Sequence, residues 1–415
     1  MKSYSLVKTN KSITLATFFG LYVAQSVPMS FFTTALQVLM RQADFSLTSI
    51  ALMQLIKLPW ILKFLWSPLV DRRCIGTADY KRFIIRSEMV YALLILVIGF
   101  LDINTNIQLI LLLLICSFVA SASQDIATDA LAILTFRSEN KGMINSMQAM
   151  GSFGGALIGS GVLLIILHQF GWRTVTVCMC MIVMVVILPL KYNKGIQAGD
   201  KSETVYARRA DFIWFFSQKG IWRQVCFLIL YYSSFIGILS ILRPYLVDLG
   251  YGLKEIGFMS GIFGTAVAFV AAYPAGKLIK KFGCNTIRIW VAVLILVSTL
   301  YFMQMSYTHP TKIALYIGIM LLWSSYGMGS VVVYTSAMDC VRAGREGTDF
   351  TVQTVLAQLS GIIVASVSGL VADRMGYSGL FAMELALAFV SLIFIAIFFK
   401  NKKSKNAKTG NNSKI

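Results

Sequence analysis

Ser67-Pro68-Leu69-Val70-Asp71-Arg72-Arg73-Cys74-Ile75-Gly76 is a short charged turn between two long apolar runs, and Gly276-Lys277-Leu278-Ile279-Lys280-Lys281-Phe282-Gly283 repeats its outline in the second half of the chain. Each copy follows the second apolar run of its half. A helix needs about 20 apolar residues to cross roughly 30 Å of hydrocarbon, because its backbone groups must pair internally there. Runs of that kind lie near 13–39, 47–70, 83–101, 108–126, 143–167 and 174–190, then near 221–246, 256–276, 287–305, 312–336, 349–371 and 379–399. They are continuous and not alternating, which excludes a transmembrane β-barrel. Of the 415 residues 57% are hydrophobic and only 13% charged, and the mean hydropathy is +0.73. Soluble chains carry about 25% charged residues, so these charges cannot coat the two or three soluble domains that the length alone would allow. The chain reads as an all-α integral membrane protein with about twelve transmembrane helices.

The formal charge of +19 first suggests a nucleic-acid partner. The bases instead fall in short clusters between the apolar runs, so no nucleic acid is expected. With the N-terminus in the cytoplasm, roughly three quarters of the lysines and arginines lie on that side, as the positive-inside rule requires, and both termini are cytoplasmic. Met1 to Asn10 is polar, and the first apolar run is too long and lacks a small-residue cleavage site, so no cleaved leader is expected. The seven cysteines are scattered and lack neighbouring histidines, which leaves neither a metal site nor a disulfide framework. His168 and His309, the only histidines, fall in expected outer loops without an acid or cysteine cluster. No phosphate-binding Gly-x-x-x-x-Gly-Lys-Ser/Thr loop occurs. Neither an enzyme nor an ATP-driven pump is indicated, and no cofactor is expected.

The longest polar stretch, Lys191 to Lys219, falls near the middle of the chain. It divides a first six-helix half (1–190) from a second (221–399), with a central cytoplasmic loop (191–220) and a basic tail (400–415) that reads as disordered and suited to anionic lipid. Two such halves are the architecture of the major facilitator transporters. The two quoted turns resemble the Gly-x-Leu-x-Asp-Arg-x-Gly signature of that group, although serine replaces the first glycine in one copy and lysine the acid in the other. The resemblance implies a cytoplasmic latch built from Asp71, Arg72, Gly276 and Lys281. An acid at a helix end there can pair with bases or with a helix N-terminus across the halves. A third echo, Gly369-Leu-Val-Ala-Asp373-Arg374-Met-Gly376, ends span 11. Spans 5 and 8 hold Gly151, Gly154, Gly155, Gly159, Gly161, Gly257, Gly261 and Gly264, at spacings that let helices pack closely. Span 5 lacks the proline of the antiporter signature, which disfavours drug efflux.

A charge at the centre of a membrane helix costs about 2.5–3.5 kcal/mol on insertion scales and is by default a functional candidate. Span 2 carries Lys57 and Lys63. In span 4, Ser117, Ser121, Gln124 and Thr128 form one helical stripe with Asp125 beside it and Asp129 at its end. Span 1 offers Gln25 and Ser26, span 7 Tyr231, Tyr232 and Arg243, and span 10 Ser324, Ser325, Tyr326, Ser330 and Tyr334. In the facilitator fold, spans 1, 4, 7 and 10 line the central cavity, so the resemblance makes Gln25, Lys57, Lys63, Ser121, Gln124, Asp125, Arg243 and Tyr334 a solute and proton pathway. Bland readings stand beside this one. Lys63 and Asp125 pair only structurally, Arg243 snorkels to the surface, and Glu384 is interfacial. Asp125 is the natural proton carrier, since the proton occupancy of a carboxylate follows its surroundings.

Leu58-Pro59-Trp60-Ile-Leu-Lys63-Phe64-Leu65-Trp66-Ser67-Pro68-Leu69-Val70-Asp71-Arg72 resembles the second-span signature of the AmpG-like permeases. Ala122-Ser-Gln124-Asp125-Ile-Ala-Thr-Asp129 is similar to their fourth span, and Gln25-x-x-Pro28 to their Gln-Gly-x-Pro, with Ser26 in place of glycine. The likeness is sharpest over residues 20–130. It implies a monomeric, proton-coupled importer of the bacterial inner membrane that takes cell-wall muropeptides inward for recycling. Related permeases of the RhtX/FptX kind take up siderophores, and a distant branch carries acetyl-CoA. Some muropeptide permeases have two further spans, for which this chain has no room, and that keeps the siderophore reading open. The resemblance carries over Gln25, Lys63, Gln124, Asp125 and the Asp71 latch. Lys57 would suit an acidic sugar or a carboxylate-rich chelate.

Overall fold

The computed structural model describes residues 11–42, 53–193, 195–196, 207–208 and 210–399. The basic tail falls outside them. All regular structure among the described residues is helical. Eight helices are long and apolar enough to cross a membrane, and two of these, Ser138–Tyr192 and Glu346–Phe398, run to 55 and 53 residues. Straight helices of that length would measure about 80 Å, far more than the bilayer core. Each instead folds back at a glycine in the left-handed region, Gly171 (φ 79°) and Gly376 (φ 69°), where a residue without Cβ reverses the chain at little cost. Each therefore supplies two spans. Thr77–Gly99 and the interrupted segment 53–73 complete twelve. The two glycine folds lie between spans 5 and 6 and between spans 11 and 12, equivalent points of two six-helix halves.

Span 1 is Lys11–Gln42, span 3 Thr77–Gly99, span 4 Ile103–Thr135, span 7 Ile221–Asp248, span 9 Cys284–Met305 and span 10 Lys312–Met338. Spans 5 and 6 cover 141–170 and 172–192, span 8 covers 253–282, and spans 11 and 12 cover 346–375 and 377–398. Span 2 departs from the continuous run expected at 47–70. Its described part breaks into a 3₁₀ turn Met53–Lys57, a short helix Leu58–Leu62, a second 3₁₀ turn Lys63–Leu65 and a helix Ser67–Arg73. Pro59 and Pro68 open the two helical pieces. Proline has no N–H to donate and tolerates only the first turn of a helix, so each one restarts the helix.

Spans 1 and 5 pack backbone to backbone. A Cβ on Gly151 would fall 2.5 Å from the Tyr22 Cβ, and one on Gly155 would fall 2.5 Å from the Ser26 Cβ. Each half has its own apolar core, around Phe31, Phe118 and Val183 in the first and around Phe235, Ile319 and Phe381 in the second. A third cluster joins the halves, with Phe18, Val70, Ile126 and Leu131 packed against Ala337, Met338 and Phe350. It lies toward the face that holds the first and last described residues, called the terminal face here. Toward the opposite face the halves part.

Candidate functional site

The break in span 2 puts Lys63 in a 3₁₀ turn, where it is buried and turned toward span 4. Its Nζ lies 2.5 Å from Oδ2 of Asp125, with the two side chains 3% and 6% exposed. The Trp60 ring lies beside it, 4.9 Å from the ammonium, and the Trp66 indole donates to Ser123 at 3.1 Å. The Gln25 amide donates to the Gln124 carbonyl, tying span 1 to span 4. One turn beyond Asp125, Asp129 accepts from the Tyr22 hydroxyl at 2.8 Å and from the Gln148 amide at 3.1 Å. Ser117, Ser121 and Thr128 of the same stripe are buried. From the second half, the half-buried Tyr334 of span 10 comes within electrostatic range of Asp125 and Asp129. The structure thus gathers Gln25, Lys63, Gln124 and Asp125 into a polar network along span 4, with Ser121 buried on the same stripe, and brings Tyr334 to its edge. The reading of Lys63 and Asp125 as a pair inside the first half describes their geometry.

Tyr22, Asp129 and Gln148 belong to this network, and the sequence reading left them out of the pathway. Asp129 had a signal, its position four residues after Asp125 on the same helix. Gln148 had none, because only the close crossing of span 5 brings it in. Glu384, read as interfacial, is instead fully buried. It accepts from Ser368 at 3.2 Å and packs against Gly237 of span 7. The missing side chain of that glycine makes the room, and span 12 turns its acid inward. Glu88 of span 3 and Arg288 of span 9 are also buried. Arg288 lies between the rings of Phe227 and Phe399 and donates to Ser336 at 2.7 Å.

At the terminal face the halves are fastened. Span 11 starts at Glu346, and its first N–H groups have no partner within the helix. Asp71 supplies one. Its carboxylate accepts from the Gly347 N–H at 3.1 Å, the Thr348 N–H at 2.7 Å and the Thr348 hydroxyl at 2.7 Å. The Tyr80 hydroxyl donates to the same group at 2.7 Å. An anion at a helix N-terminus meets both the open N–H groups and the positive end of the helix dipole. Gly276 sits where spans 5 and 8 cross, so close to Gly142 and Ser146 that a Cβ would not fit. Lys141 donates to the Met338 carbonyl at 2.8 Å and pairs with Asp339 at 3.0 Å. Arg345 pairs with Asp211 of the central loop at 2.8 Å. Two expected latch residues lie elsewhere: Arg72 is exposed, and Lys281 is exposed with its ammonium 5.0 Å from the Phe282 ring. With Asp71 satisfied by a helix end, neither cation has an ion-pair partner across the halves among the described residues. The third motif copy does not latch either, since Asp373 is exposed near the far face.

Toward the opposite face, spans 1, 2 and 5 stand apart from spans 7 and 8 around a cavity of about 840 Å³. Lys57 and Arg243 line it, together with Lys254, which the sequence reading did not single out. Arg243 is exposed and its Nε donates to Ser260 at 3.3 Å. The snorkelling expected of it thus leads into this vestibule. Thr33 of span 1 also lines the cavity. Gln25 lies eight residues deeper on the same helix, about 12 Å further in by helical rise. The molecule is sealed at one face and open at the other, with the polar network between.

The family model described as Major Facilitator Superfamily matches residues 13–365. The protein AmpG 2 of Rickettsia typhi is 24% identical over 368 residues, covering 86% of this chain and 89% of that one. The anhydromuropeptide permease of Escherichia coli K12 is 21% identical over 382 residues, covering 90% and 77%. Among solved structures, the proton:xylose symporter XylE superposes with a TM-score of 0.69 at 11% identity, covering 94% of this chain and 96% of that one. FucP in its outward conformation gives 0.68 at 16%, covering 94% and 99%. At these identities the structures establish the shared fold.

Proposed function

Because the chain belongs to the Major Facilitator Superfamily, we propose that it imports an anhydromuramyl peptide across the cytoplasmic membrane by alternating access, with protons as the coupling ion. The observation that carries the transport cycle is the asymmetry of the halves, fastened through Asp71 at one face and parted around a cavity at the other. The solute is taken from the likeness to the anhydromuropeptide permease and from the second- and fourth-span strings around Lys63 and Asp125. The distribution of lysines and arginines supports a cytoplasmic terminal face, and on that reading the conformation is outward-open.

In this cycle the solute enters between the halves and reaches the level of Gln25 and Gln124. Inward opening requires Asp71 to leave the Gly347 and Thr348 N–H groups and Lys141 to leave Asp339. The span 5–8 crossing at Gly142 and Gly276 is the pivot. The two carboxylates of span 4 divide the work of the proton. Asp125 pairs with Lys63, and a proton arriving there would release the ammonium. Among the described residues Asp129 accepts only from neutral donors, Tyr22 and Gln148, and can gain a proton without breaking an ion pair.

The test is uptake of radiolabelled anhydromuramyl tripeptide into proteoliposomes with an imposed pH gradient. Accumulation is expected to follow the gradient in the wild type and to be lost in Asp125→Asn, while solute exchange without a gradient survives. Uptake indifferent to the gradient would remove proton coupling. Absence of uptake would remove the solute.

A further inference from the structure

The outer vestibule carries a charge pattern that the transport cycle leaves unexplained. Its described lining includes three cations, Lys57, Arg243 and Lys254, from three different spans, and no carboxylate. Two described acids nearby are engaged elsewhere: Glu255 pairs with Lys312 at 2.6 Å, and Asp248 accepts from Tyr377. None of the three cations has an ion-pair partner among the described residues. A cleft lined by one sign of charge concentrates the opposite sign.

The backbone supplies a second observation. Span 5 contains a π-helical turn at Ile158–Val162 and span 8 another at Gly257–Phe263, and both border the vestibule. Turns of this kind are rare and recur at functional sites. Gly161, Gly257 and Gly261 lie in these turns, and a Cβ on any of them would meet no atom within 4 Å. Glycines elsewhere in the same spans, such as Gly155 and Gly276, are required by packing. Gly161, Gly257 and Gly261 are not, although Gly159 of the same span 5 turn is packed against span 1 at Val27. Those three leave bare wall on both sides of the cavity, beside the cations.

We propose that this vestibule is an anion-capture site, in which Lys57, Arg243 and Lys254 together bind a solute bearing two or more carboxylates, its body lying against the glycine faces of the two π turns. The proposal rests on the transporter reading in one respect, that the vestibule is the solute's entrance. Ser260 holds the Arg243 guanidinium, while the two flexible lysines suit carboxylates at variable spacing. The site selects by charge at the mouth, ahead of any selection by the Gln25–Gln124 level.

The experiment is titration calorimetry on the full chain in lipid nanodiscs with three probes. These are anhydromuramyl tripeptide, the same peptide with its carboxylates amidated, and tricarballylate, a tricarboxylate without sugar or peptide. The free acid is expected to bind at least about tenfold tighter than the amide, and each of Lys57→Gln, Arg243→Gln and Lys254→Gln to weaken it about tenfold. The triple variant is expected to erase the preference for acid over amide. Gly261→Leu has room in the fold and is expected to block binding by filling the cavity, while the chain stays folded. Equal binding of acid and amide by the wild type, or an undiminished preference in the triple variant, overturns the site and leaves the muropeptide reading standing. Charge-dependent binding of tricarballylate without binding of either peptide keeps the site and removes the muropeptide. Binding of no probe overturns the site.

Discussion

At the scale of single residues, the pairing of Lys63 with Asp125 decides what kind of polar core the first half has. Two opposite charges at 2.5 Å with both side chains buried form a unit whose parts are not independent. Removing one leaves the other uncompensated in a dry environment, at a cost of about 3–5 kcal/mol, whereas replacing both can be nearly neutral. Lys63→Met and Asp125→Asn are therefore expected each to lower the thermal midpoint of the purified protein sharply. The double variant should regain most of that loss without regaining accumulation driven by the pH gradient. A double variant as unstable as the worse single one would show that each charge is held by other partners. The pair was legible as two suspicious charges, one four residues before the turn that starts at Ser67 and one beside a serine stripe. That they touch was not legible, because contact depends on the 3₁₀ turn that rotates Lys63 toward span 4. Asp129 was visible but undervalued. Its importance comes from Tyr22 and Gln148, which two other helices deliver.

At the scale of elements, glycine spacing in span 5 separates packing from space. Gly151 and Gly155 lie against the span 1 backbone, while Gly161 faces the vestibule. Gly155→Leu should force spans 1 and 5 apart and cost about 1–3 kcal/mol or more of stability, read as a lower thermal midpoint. Gly161→Leu should leave the midpoint unchanged. Equal losses in both would mean that span 5 packs through its whole length. The sequence marked all these glycines alike, since periodicity shows which residues share a face and not what that face meets. Pro59 and Pro68 were likewise on the page. A hydrophobic run nevertheless reads as one helix, and the interruption of span 2 follows from where each ring falls relative to the turn it would have to enter.

At the scale of the whole molecule, the two halves are fastened at one face and parted at the other. The side chains of Asn145 in span 5 and Thr335 in span 10 meet at 3.3 Å across the closed terminal face. In a background with the native cysteines replaced by serine, Asn145→Cys with Thr335→Cys should cross-link on oxidation, stop uptake and recover it on reduction. Uptake that continues through the cross-link would mean that this contact never opens. By itself the sequence determined the lipid solvent, the number of spans, their division six and six, and the turn at Asp71. Each of these is written locally, in runs of apolar residues about as long as a bilayer is thick and in the charges that punctuate them. Only the tertiary structure decided that Asp71 caps span 11, that Glu384 turns inward, and that Lys57, Arg243 and Lys254 face one cavity. Those facts join residues from different helices, and which face of a helix meets which neighbour is set by how the whole bundle packs.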